Sequence, residues 1–187
     1  MKKEDLKEFS TKENIIKTSK LCKQGFIIVL PVFILMIASY YLIYGWYDWS
    51  VKPWTDYFII VAICVVGMII HEGIHLVFSL KNCNFKFNKI LVAYDAECAK
   101  PCIKCKEAVL MSDYLIQKVL PVIVTAIIPY IIAIVTGNFH LVIASAVLFG
   151  MCGVDIKLFF IFRKEDKNSY ILDDDEDRYG GKIFFNI

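Results

Sequence analysis

Charge is scarce through the middle of this chain, and its scarcity excludes most soluble architectures. Only 21% of the 187 residues are Asp, Glu, Lys or Arg, against 58% hydrophobic residues, and the mean hydropathy is +0.57. Four stretches, 26–44, 55–80, 114–136 and 139–162, are apolar and long enough to cross a bilayer, which takes about 20 helical residues. So little chain is left over that no separate soluble domain fits. There is no internal repeat, which excludes a repeat architecture. Small residues are missing from the end of the first apolar run, which follows a polar segment and closes on Tyr40, Tyr41 and Tyr44. A cleavable leader is therefore not expected. A net charge of +2 carries no basic excess for nucleic acid.

The sequence thus predicts an all-α polytopic membrane protein of four transmembrane helices. Residues 1–25 form an N-terminal segment, with a short interfacial helix as one reading, 26–163 the membrane domain and 164–187 an acidic, solvated tail. Lysines and arginines cluster in residues 1–25, in the connection 81–113 and after the fourth run. The other two connections carry almost none. Both termini and the central connection are accordingly expected on the cytoplasmic side of the cell membrane, with Trp46, Trp49 and Trp54 at the outer interface. In the central connection "NFKFNKILVAY" alternates and is rich in β-formers, which predicts a strand or half of a hairpin ending near "DAECAKPC". Pro121 and Pro129 are expected to bend the third helix. On this topology most of the seven cysteines face the cytosol, so thiols are expected rather than disulfides. Cys83, Cys98, Cys102 and Cys105 leave a second metal site as an alternative. The acidic block "DDDED" lacks the spacing of a calcium loop.

Against this apolar background "GMIIHEGIHLVFSL" carries two histidines and a glutamate. On a helix, His71 and His75 lie within about 40° of each other and Glu72 about 100° round from His71. This is the H-E-x-x-H arrangement, in which two neutral imidazoles bind zinc and the glutamate takes a proton from water. Ionisable groups within a bilayer are costly and normally line a site or a pathway. The alternatives are a proton or ion relay in a small transporter and a non-catalytic zinc-binding membrane protein. A hydrolytic zinc keeps three protein ligands and one open position. Asp155, in "GMCGVDIKLFF", is the other carboxylate well inside an apolar run. His71 and Asp155 each lie 16 residues into helices that run the same way, roughly 24 Å deep at 1.5 Å per residue. They are at matching levels. Gly67 and Gly73, with Gly150 and Gly153, offer small surfaces for close helix approach. A buried acid hydrogen-bonded for packing is the other reading of Asp155. His140 is the rival ligand by residue type, but lies about 23 Å from Asp155 along the axis. Asp56 is also at the outer end, and Asp95, Glu97 and Asp113 are weaker alternatives.

"HEGIH", "CIKCKEAVLMSDYLIQKVLP", "GVDIK" and "GGKIF" resemble the "putative zincin peptidase" family of bacterial membrane proteins over roughly residues 60–187. That family is in turn similar to the site-two proteases. The resemblance implies zinc held by His71, His75 and Asp155, Glu72 as catalytic base, and a membrane protein or peptide as substrate. Ile156 follows Asp155 where site-two proteases usually carry glycine.

Overall fold

The computed structural model describes residues 10–48, 53–95, 100–173 and 178–185. Helix dominates. α1 (Thr18–Tyr44) and α2 (Pro53–Asn82) are long single helices. α3 (Met111–Val122) continues through a π-helical turn, Ile123–Ile127, into α4 (Ile128–Thr136). α5 (Phe139–Met151) and α6 (Gly153–Phe162) meet at a 50° bend. Among the described residues three helical stretches are long and apolar enough to cross a membrane, and the bent pair makes up to four.

Local sequence explains these boundaries. Pro53 opens α2, where a missing N–H costs nothing, and Asp56 in the first turn and Lys81 in the last complement the helix dipole. Pro129 cannot donate to the preceding turn, and the wide π turn lies directly before it. Within that turn the Thr125 hydroxyl donates to the Pro121 carbonyl at 2.8 Å. The α4–α5 connection is two residues. Gly137, at φ 68°, ends α4 in the left-handed region, and the Asn138 side chain accepts from the Leu141 N–H at 3.1 Å to start α5.

The expectation of an all-α chain needs correction, because two antiparallel sheets accompany the helices. β1 (Ser10–Lys17), β4 (Val109–Leu110), β5 (Tyr170–Asp173) and β6 (Arg178–Phe185) form one sheet in the order β1–β6–β5–β4, and β2 (Ile90–Asp95) pairs with β3 (Lys100–Cys105) in the other. The β2–β3 ladder is the hairpin expected in the central connection, although Phe87–Lys89 is a 3₁₀ turn rather than strand. Within the N-terminal segment, Ser10–Lys17 is a strand rather than the short interfacial helix of one reading, and from Thr18 the chain is already α1. The tail supplies two more strands, since "KIFF" carries apolar side chains that a sheet can bury: Ile183 pairs with Ile171, and both are buried. They join Leu21, Met111, Leu158 and Phe162 in a core where helix ends meet the sheet. The acidic residues 174–177, with the calcium question, lie outside the described residues.

The cysteine expectation also needs correction. Cys83, just past α2, is disulfide-bonded to Cys105 at the end of β3, and Cys22 is disulfide-bonded too. A cysteine metal site using Cys83 and Cys105 is thereby removed. Cys98 lies outside the described residues.

Packing of the fourth apolar run depends on its break. α5 packs on α1, α2 and α4, whereas α6 packs on α1 and α3. A Cβ on Gly25 would lie 2.6 Å from the Gly153 backbone, so α1 and α6 cross with their backbones nearly touching. Gly67 makes room for Leu148 of α5. The expected role of Gly73 in this approach is not seen, as it meets nothing within 4 Å, and Gly153 faces α1 rather than α2.

Candidate metal centre

α2 and α6 bring together His71, His75 and Asp155. His71 and His75 occupy successive turns of one face of α2, and Asp155 lies in the first turn of α6, where the helix dipole favours a carboxylate. All three are buried, at 8%, 5% and 1% exposure. The two Nε2 atoms are 3.3 Å apart, and Asp155 Oδ2 lies 3.4 Å from that of His71 and 3.6 Å from that of His75. Such a group could hold a metal ion.

The edge lengths suit a metal. They lie at or beyond the long end of good hydrogen bonds, about 2.7–3.2 Å. A tetrahedral ion with ligands about 2.0–2.2 Å away requires ligand atoms about 3.3–3.6 Å from one another. The observed triangle has that size. Two imidazole nitrogens and one carboxylate oxygen are also a donor set suited to zinc.

Neighbouring groups hold the triangle. Cys152 Sγ sits 3.7 Å from His71 Nδ1 and donates to the Leu148 carbonyl at 3.1 Å. Gln117 of α3 donates to the His75 carbonyl at 3.2 Å and to Ser79 Oγ at 3.0 Å, tying α3 to the site helix. Lys118 Nζ lies 3.3 Å from Asp155 Oδ1. Sequence reasoning missed both Gln117 and Lys118, although a polar pair inside an apolar run was a usable signal.

Glu72 is half-buried and lines a small cavity of about 20 Å³ with Met68, His71, Leu148 and Met151. That volume accommodates about one water. A far larger groove, about 540 Å³, runs between α3 and α6, but none of the triangle residues line it.

The rival ligands are elsewhere. His140 Nε2 is 2.8 Å from Asp56 Oδ1, and the Tyr47 hydroxyl donates to Asp56 Oδ2 at 3.1 Å, closing a polar cluster at the far ends of α2 and α5. Burial, followed by that hydrogen bond, pushes the Tyr47 phenol above its usual value. Asp113 faces Lys81 at 3.9 Å. Asp95 is in β2, and Glu97 lies outside the described residues.

Comparison with known proteins adds one finding. The family model described as "Putative zincin peptidase" matches residues 64–170, more than half of the chain, from within α2 to the start of β5. The chain belongs to that family. The family description implies zinc, and the His71, His75 and Asp155 group is the part of this zincin-family fold that could receive it. No curated protein and no solved structure matches the chain.

Proposed function

We propose that the protein is a multi-pass membrane zinc metallopeptidase that hydrolyses peptide bonds within or beside the bilayer. The observation carrying this reading is the buried triangle of ligand atoms, whose edges are right for a tetrahedral metal. His71, His75 and Asp155 would hold zinc, leaving one position open. The membrane part of the reading rests on the surface: Leu42, Trp46, Trp54, Val66 and Val135 are exposed on or beside apolar helices, far more apolar surface than water tolerates. Basic residues concentrated in 1–25, 81–113 and 163–167 favour a cytoplasmic location for both termini and the central connection, although the Cys83–Cys105 disulfide in that connection weighs the other way.

Zinc, when bound, supplies a Lewis acid that polarises a scissile carbonyl and lowers the pKa of water towards about 7. Glu72, on the cavity beside His71, accepts the proton of the attacking water and passes it to the leaving amine. Water oxygen joins the carbonyl carbon, the C–N bond breaks, and a carboxylate and an amine leave. The substrate must be extended at that bond, because helical backbone shields it. β2 pairs only with β3 among the described residues, and its Val92 is exposed, so its other edge suits an added substrate strand.

Metal analysis of detergent-purified protein, with cleavage of membrane-protein substrates, tests the proposal. About one zinc per chain is expected, lost in His71→Ala and Asp155→Ala. Zinc-free wild type would instead favour the relay reading, and zinc with no effect of Glu72→Gln on cleavage would sink the assigned mechanism.

A further inference from the structure

The two oxygens of Asp155 face different neighbours. Oδ2 points at the histidine pair, 3.4 and 3.6 Å away, while Oδ1 faces Lys118 Nζ at 3.3 Å. Lys118 is no loose surface lysine: its side chain is 13% exposed, and its ammonium lies 5.3 Å from the centre of the Tyr114 ring one turn earlier on α3. The adjacent Gln117 locks α3 to the His75 carbonyl and Ser79, which fixes the direction from which Lys118 approaches. Lys118 does not line the cavity beside Glu72. Its geometry addresses the ligand rather than the place where water would react.

We propose that Lys118 is a positioning residue whose ammonium holds Asp155 Oδ1, so that Oδ2 alone is presented to the two histidines. A carboxylate can bind a metal through one oxygen or two. Two would fill the position that a hydrolytic zinc keeps open. An ammonium suits the task because it is a compact point charge that engages one oxygen, where a guanidinium fork would take both. This inference rests on the metal reading above and concerns how the third ligand is oriented.

The test is a double-mutant cycle on full-length protein in detergent, reading zinc affinity by competition with a chromophoric chelator. Lys118→Met is expected to weaken zinc binding about 10–100-fold. In an Asp155→Asn background, whose side chain keeps a neutral oxygen donor but no charge for the ammonium to hold, the same substitution should change the residual affinity by less than about 2-fold, because Lys118 acts through the Asp155 carboxylate. Lys118→Met within about 2-fold of wild type, or losses that add in the double variant, would overturn the proposal. If Lys118→Met does not fold, Lys118→Gln takes its place with the same criteria. Wild type that binds no zinc sinks this inference together with the metal reading. Coupled losses in a protein that cleaves no peptide support the positioning role and remove only the peptidase.

Discussion

The two ends of α2 each set histidine beside aspartate against the fourth apolar run, yet they do different things with the same groups. At the start of α2, Asp56 and His140 meet at 2.8 Å, and Tyr47 adds a further hydrogen bond to the carboxylate. That cluster is closed, with His140 and Tyr47 each on one carboxylate oxygen of Asp56. Farther along, His71, His75 and Asp155 stand 3.3–3.6 Å apart, a looser group than Asp56 with His140 and of the size a tetrahedral metal requires. Residue type does not tell the two apart. What separates them is spacing, together with the lysine that engages the second oxygen of Asp155.

The largest effect that would break this comparison is metal loss from the wrong end. His71→Ala should remove essentially all zinc, while His140→Ala should leave metal content at wild-type level by mass spectrometry. Glu72→Gln sharpens the contrast further, with cleavage of a membrane-protein substrate falling about 10²–10⁴-fold and zinc retained. At the closed end, Asp56→Asn should lower stability by about 2 kcal/mol in detergent melts without touching zinc. Gly153→Ala would push a methyl group against the Gly25 backbone. It should cost about 1–3 kcal/mol and also weaken zinc, because it moves the first turn of α6. Lys81→Ala, which removes an exposed pair with Asp113, should change the melting midpoint least, by less than about 1 kcal/mol.

The site was more legible in the sequence than the fold around it. The His71, Glu72 and His75 spacing is local and follows from helical periodicity alone. Asp155 could be found by counting depth along two helices running the same way, and that count survived a bend it did not anticipate, since Asp155 lies only three residues beyond Cys152. Lys118 and Gln117 were harder to place, because the rotation of α3 about its axis is fixed by packing, not by its own sequence. The β1–β6 ladder was hidden for a different reason. It joins residues about as far apart as the chain allows, Ser10 with Phe185, and neither strand alternates strongly enough to announce itself. The Cys83–Cys105 pairing is likewise a tertiary fact that cysteine spacing does not determine.

The small sheet also constrains parity. Hydrogen-bonded strands cannot be stitched together through a bilayer, so β1, β4, β5 and β6 share one side of any membrane the helices enter. On the membrane reading proposed above, α1 and α2 would make two crossings between β1 and β4, and the chain would return. Between β4 and β5 it must again cross an even number of times. With one crossing from the α3–α4 stretch, α5 and α6, despite their 50° bend, would then act as a single one. On that reading, a sheet that touches no ligand would make the broken run carrying Asp155 a passage through the membrane rather than a loop that dips in and turns back.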